Sequence, residues 1–190
     1  MNNIKLLDLG CGKKKRHNAI GVDIIKNPQV DIVHDLNIYP YPFPDQEFDD
    51  ILMDNALEHL DNINTTLEEL YRISKENALV TIKVPYFRSH TSVDPTHRHS
   101  FAYHSFFYYD PTHPFNEMYR YSNNAFFKVE KVIYDEQYGF YPGILQKLVF
   151  NLPKLIANSF PQYYEEYLAH IVPLHCLTFK LRTVKSPDLH

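Results

Sequence analysis

The stretch from Leu6 to Ile24, LLDLGCGKKKRHNAIGVDI, restricts the fold of this chain more than any other. An apolar strand, Ile4 to Leu9, runs into Gly10 and Gly12, and a second strand, Ala19 to Ile24, follows after nine residues, 10 to 18. Glycine after a first parallel strand lets the backbone turn sharply and approach a ligand at the carboxyl edge of the sheet. The chain has five glycines, and Gly10, Gly12 and Gly21 fall in this stretch. Nine residues are fewer than the dozen or so that a full crossover helix needs. At most one helical turn is expected, and the cations Lys13, Lys14, Lys15 and Arg16 fill its place.

The first half continues the pattern of a doubly wound sheet. Val30 to Asp35, Phe48 to Asp54 and Ala78 to Pro85 read as three further strands. Between the last two, Thr65 and Glu68 form a capping-box pair, and Leu67, Leu70, Tyr71 and Ser74 share one helical face. A right-handed parallel crossover is implied. Residues 86–125 are dense in His, Phe and Tyr and broken by Pro95, Pro111 and Pro114, which predicts a loop-rich cap with short helical pieces. Phe126 to Gln137 and Cys176 to Lys185 alternate as strands do. Residues 141–173 are apolar at near-helical spacing, which predicts a helical insertion before the last strand, with a homodimer or peripheral membrane contact as its sharper use.

At 190 residues the chain suits one domain. A formal charge of −4 supplies no broad cationic field, so no nucleic-acid partner is expected despite the local basic run. No window has the apolar length of a membrane span, and Asp8 interrupts the first apolar stretch, so a cytoplasmic protein with reduced Cys11 and Cys176 is expected.

Three acids lie where a parallel sheet would bring them to one edge: Asp8 before the glycine turn, Asp23 ending the second strand and Asp35 ending the third. An acid at the second position can accept hydrogen bonds from both hydroxyls of an unphosphorylated ribose. With these acids, LLDLGCG, IGVDI, DIVHDL, FDDILMDNALEHL and LEELYRISKENALVTIKVP resemble, in order and spacing, the class I S-adenosylmethionine-dependent methyltransferases, small bacterial and archaeal members in particular. The resemblance implies an α/β fold, a doubly wound, seven-stranded, mostly parallel sheet of Rossmann-like type, with S-adenosylmethionine as cofactor. It further implies that Asp8, Gly10, Cys11 and Gly12 surround the methionine moiety and that Asp23 and Ile24 meet the ribose. Asp35 and Leu36 would meet the adenine, and Asn55 and Ala56 would flank the sulfonium. Two departures stand out: Lys14 replaces the third glycine, and the first helix is cut to a stub. Lys13, Lys14 or Arg16 could replace the lost helix dipole at the cofactor carboxylate.

Methyl transfer to oxygen or nitrogen needs a positioned nucleophile and a proton acceptor. His97, His99, His59 and Asp94 are the candidates, with His90 and His104 nearby in sequence. Asp94, His97 and His99 could in principle hold a metal, but their spacing does not match a tight structural zinc motif and no cysteine helps, so none is expected. The leading reading is methyl transfer to a small-molecule acceptor, such as a hydroxyl on a sugar or lipid-linked intermediate. A nicotinamide oxidoreductase is disfavoured by the missing glycine and helix. The rival from another class is an inactive nucleoside-binding or assembly protein on the same fold.

Overall fold

The computed structural model describes residues 4–119, 124–135 and 144–185, the backbone alone for 144–150. Seven strands form one sheet: β1 (Leu6–Leu9), β2 (Ala19–Asp23), β3 (Ile32–Val33), β4 (Phe48–Asp54), β5 (Ser74–Pro85), β6 (Phe127–Asp135) and β7 (Cys176–Thr183), in the spatial order 3-2-1-4-5-7-6. β1 to β5 run parallel, and β7 pairs antiparallel with both β5 and β6. The strand order reverses between β1 and β4, and the carboxyl ends of these strands flank the crevice where open α/β sheets bind ligands. Leu7, Leu9, Ile51, Met53, Val80, Ile82 and Val84 are fully buried at every second position of the central strands, which places them on one face of the sheet.

The parallel crossover between β4 and β5 is made by α1 (Ile63–Ile73), which buries Leu67, Leu70 and Ile73. Its start differs from expectation. Asn62 is the N-cap, its side chain accepting from the Thr65 amide at 3.1 Å. Thr65 and Glu68 therefore lie inside the first turns, because the earlier Asn62 already satisfies a free amide there. Ser74 leaves the helix and begins β5, its hydroxyl donating to the Leu70 carbonyl.

The crossover from β1 to β2 holds turns and no helix, within the limit of one helical turn that its length sets, and none of the first three crossovers contains a described helix. The cations explain how the chain manages without one. Arg16 makes a two-pronged ion pair with Asp50 of β4, both contacts at 2.8 Å, while its amide donates to Asp8 at 2.7 Å. Lys15 reaches Asp31 at 2.7 Å, and Asp31 also accepts from the Gly21 amide. The short loop is thus tied to three strands or their ends. Gly21 is required here: a Cβ on it would lie 2.5 Å from the Lys15 side chain and 2.7 Å from the Gln29 carbonyl.

After β5, residues 86–119 carry two short 3-10 turns, His90–Val93 and Phe107–Tyr109, then α2 (Pro114–Tyr119). Phe101, Phe106 and Tyr109 are buried, Phe106 against Phe179 of β7. Between β6 and β7 lies α3 (Ile144–Ser159), which contains Pro153, followed by short helical turns from Pro161 to Leu168. Leu152, Leu155, Phe160, Tyr163, Tyr167 and Ile171 of this segment are exposed. Residues 120–123 of the expected cap, and 136–143, which hold the end of the expected sixth strand and the start of the expected insertion, lie outside the described residues. No described helix is long and apolar enough to cross a membrane.

Candidate active site

At the carboxyl edge of β1, Gly10 takes a left-handed conformation (φ 70°) and packs so closely on Ala56 that an added Cβ would sit 2.5 Å from the alanine Cβ. Both facts exclude a side chain at this position. Asn55, at the end of β4, is also left-handed (φ 52°) and is held by its amide donating to the Lys83 carbonyl at 2.8 Å. Asparagine tolerates that conformation better than most residues, and such strain concentrates at functional sites. Two cavities meet over these residues. One, of about 330 Å³, is lined by Gly10, Asp23, Ile24, Asp35, Leu36, Asn55 and Ala56, joined by His34, Asn37, His59 and Leu60. The adjoining one, of about 430 Å³, takes Asp8, Gly10, Cys11, Gly12, Lys13, Lys14 and Asn55.

The acids have distinct tasks. Asp23 accepts from the Gly12 amide through one oxygen and from the Ile25 amide through the other, each at 2.9 Å, which fixes its carboxylate at the cavity wall. Asp35 accepts from the Asn37 amide at 2.9 Å, and Asn37 in turn accepts from the Asp61 amide. Asp8 is buried, and burial raises its carboxyl above the ordinary range, opposed by the hydrogen bond from the Arg16 amide. Burial likewise pushes the Cys11 thiol up to about 11, aided by Asp8 and Asp23, so Cys11 is a packing group and not a nucleophile. Of the cations, Arg16 is committed to Asp50, and Lys13 and Lys14 line the cavity. This corrects the expectation for Arg16: its guanidinium holds the loop in place.

A third cavity, of about 240 Å³, opens beside the first and shares Asn55 and His59 with it; Glu58, Pro85, Thr91, Asp94 and His97 complete its lining. The loop 94–99 is fastened onto the short turn Leu57–His59. The Arg98 amide donates to the Glu58 carbonyl at 2.8 Å, His99 donates to the Leu60 carbonyl at 2.8 Å, and the Arg98 guanidinium pairs with Asp61. His99 is therefore spent on structure, and it does not join Asp94 and His97 as a third ligand or as a base. His104 packs among Tyr103, Phe107 and Phe115, and His90 stands against His175. Neither ring belongs to the third cavity.

His59 is different. Its Nδ1 lies 3.0 Å from the Thr96 hydroxyl and 3.4 Å from the Thr96 carbonyl, and the hydroxyl donates to Asp94 at 2.6 Å. A carbonyl only accepts, and the hydroxyl donates to Asp94, so in the neutral ring Nδ1 is the nitrogen that carries the proton and Nε2 the one that keeps a lone pair. Thr96 also holds the Asp94 carboxyl below its ordinary value. The His97 ring stands edge-on to His59 at 4.8 Å between centroids. Its pKa is lowered by burial first and then by His59, against the pull of Asp94. Glu58, which sequence reasoning passed over, is 1% exposed, with its Oε1 4.0 Å from His97 Nε2 and no hydrogen-bond partner for either oxygen among the described residues. The available signal was a carboxylate beside a histidine inside the otherwise apolar run Ala56 to Leu60, directly after a strand end.

The family model for a methyltransferase domain matches residues 7–82, from β1 into β5, and spans the glycine loop, Asp23, Asp35 and Asn55. Residues 7–82 thus match a methyltransferase domain over the part of the chain that builds the crevice. The matched stretch includes every residue expected to meet S-adenosylmethionine, from Asp8 to Ala56. In fold the chain is similar to an S-adenosylmethionine-dependent methyltransferase from Archaeoglobus fulgidus, at 18% identity and a TM-score of 0.57, over 95% of this chain and 86% of that one. It is also similar to a chain from the complex of the Haloferax volcanii Trm112 methyltransferase activator with a putative methyltransferase (15% identity, TM-score 0.56, 98% and 86% coverage). A third similar structure is the [4+2]-cyclase SpnF (16% identity, TM-score 0.55, 97% and 76% coverage). A cyclase among these neighbours means that fold alone does not fix the reaction. No curated protein matches the chain in sequence.

Proposed function

We propose that the chain transfers the methyl group of S-adenosylmethionine to an oxygen or nitrogen of a small-molecule acceptor whose reactive group enters the 240 Å³ cavity of Glu58, His59 and His97. The observation that carries this reading is that the cavity shares Asn55 and His59 with the one lined by Gly10, Asp23 and Asp35. A methyl group held between them would face an acceptor across Asn55. In this reading Asp23 takes the ribose hydroxyls, Asp35 and Leu36 take the adenine beside the 59% exposed Ile24, and Gly10, Gly12, Lys13 and Lys14 surround the methionine portion.

The chemistry follows from the lone pairs on offer. The acceptor's lone pair attacks the methyl carbon, the carbon–sulfur bond breaks with its electron pair returning to sulfur, and the acceptor's proton must go elsewhere. The bare Nε2 of His59 can receive it, with Asp94 acting through Thr96 to hold the tautomer. A cavity of this size is smaller than the roughly 300 Å³ of a whole-ligand site, which favours an acceptor that inserts one group, such as a sugar hydroxyl, and keeps the remainder outside.

Calorimetric titration with S-adenosylmethionine, S-adenosylhomocysteine and NAD tests the cofactor half: the first two bind and the third does not. Label transfer from methyl-labelled cofactor to small-molecule extracts tests the other half. His59→Gln keeps cofactor affinity and loses transfer; full transfer by that variant would overturn its role. Cofactor binding with no transfer to any fraction would favour the binding-protein reading instead.

A further inference from the structure

Three ligand-capable side chains that the methyl-transfer reading uses only in part converge in the acceptor cavity. Atoms of Glu58, His59 and His97 able to bind a metal all lie within 4.8 Å of one another. Glu58 is buried with both oxygens unpartnered, a costly arrangement for a carboxylate unless a positive charge stands beside it. No described lysine or arginine forms an ion pair with it; its neighbour at 4.0 Å is His97. The ligand set excludes some ions. Two imidazole nitrogens with one carboxylate suit the borderline divalent metals of the first transition row, whereas magnesium and calcium prefer oxygen throughout.

The surroundings of His59 are those of a metal-ligating histidine. Such residues donate their second ring N–H to a carbonyl or carboxylate, which fixes the tautomer and strengthens the ligating nitrogen. Here Nδ1 donates toward Thr96, which is itself held by Asp94. On a tetrahedral ion with bonds near 2.1 Å the ligand atoms stand about 3.4 Å apart, so closure of the trio needs each atom to move inward by less than about 1 Å. Three protein ligands leave a position open, which is the pattern of catalytic sites and not of structural ones.

We propose that Glu58, His59 and His97 hold one divalent first-row transition-metal ion and that an oxygen of the acceptor completes its coordination. The acceptor's part rests on the methyl-transfer reading, while binding of the ion does not. Coordination lowers the pKa of a hydroxyl. Its proton passes to water as the oxygen binds, the oxygen attacks the methyl carbon, and the carbon–sulfur electron pair returns to sulfur. His59 then acts through the ion and not as the direct proton acceptor.

The test uses the tag-free, chelator-stripped and desalted 190-residue chain titrated with cobalt(II) chloride, reading visible d–d absorption and heat. Saturable one-to-one binding is expected, with the band intensity of a four- or five-coordinate site. Glu58→Gln and His97→Ala each weaken it by about 100-fold or more and bind S-adenosylhomocysteine as the parent does, which checks the fold. His99→Gln, which can still donate to the Leu60 carbonyl, keeps full cobalt affinity. Absence of saturable binding, or binding that survives both Glu58→Gln and His97→Ala, overturns the site. Cofactor binding without cobalt binding would reject the ion and leave methyl transfer standing; cobalt binding without cofactor binding would do the reverse.

Discussion

Replacing Glu58 by glutamine removes an ionisable group that the metal-free fold accommodates poorly once it is charged. The carboxyl is 1% exposed, and its pKa is pushed up to about 7 from the ordinary 4.5, first by burial and then by the negative charges of Asp54 and Asp94, opposed by the dipole of its own backbone amide. Because the folded-state value lies above the unfolded one, the folded protein holds the proton more tightly, and Glu58's contribution is fully present below about pH 4.5. It is lost as pH rises through about 7, where the unfolded chain has already ionised and the folded one is forced to follow. At about 1.4 kcal/mol for each pKa unit, the loss amounts to roughly 3 kcal/mol. The other groups facing the carboxylate are His59 on its own turn and His97 on the docked loop. Burial lowers the His97 pKa, which disfavours a compensating positive charge there. The assay is urea and thermal unfolding of parent and Glu58→Gln from pH 4.5 to 8.5 with a chelator present. The variant's stability relative to the parent rises by roughly 3 kcal/mol across that range, or on the order of 6–12 °C in Tm for a chain of this length. A difference that stays constant with pH would refute the reasoning, because a fixed packing change cannot depend on protons.

Other substitutions separate the tasks of the glycine loop. Gly10→Ala meets both a left-handed backbone and the Ala56 methyl, so it lowers cofactor affinity by about tenfold or more and stability by roughly 1–3 kcal/mol; calorimetry and unfolding read the two effects. Arg16→Ala and Asp50→Asn each cost about 1 kcal/mol, discounted because the guanidinium is partly exposed. The double variant costs little more than either alone, and additive losses in urea would show that the pair is not coupled. Changing Lys13 and Lys14 together to alanine leaves stability within about 0.5 kcal/mol and weakens S-adenosylmethionine more than it weakens a decarboxylated analogue. Equal weakening of both ligands would take these lysines away from the carboxylate.

What could be read from the sequence was what short-range chemistry decides. The glycine pair, the strand-end acids and the apolar runs state their geometry locally, and the crevice over β1 and β4 gathers Gly10, Asp23, Asp35, Leu36, Asn55 and Ala56 in one wall. The partners of side chains could not be read so. Nothing near Arg16 in sequence points to Asp50, 34 residues away, and nothing near His99 points to the carbonyl of Leu60. Local capping signals also misplaced the start of α1, because Asn62 was available one turn before Thr65.

The same distinction explains why the histidine cluster was half legible. In sequence, His97 and His99 look equivalent, two residues apart in one loop. In the fold, successive residues of that loop point to different neighbours: His99 toward the Leu60 backbone, and His97 toward Glu58 and His59. What separates a histidine spent on structure from one left with a free lone pair is the atom at the other end of its hydrogen bond, and that atom lies 37 to 39 residues away. The docking of loop 94–99 onto the turn at Leu57–His59 thus brings together the lining of the 240 Å³ cavity. Thr96→Val removes the hydroxyl that links His59 to Asp94 while the Arg98 and His99 contacts keep the loop docked, so label transfer falls and S-adenosylhomocysteine affinity, read by calorimetry, stays that of the parent.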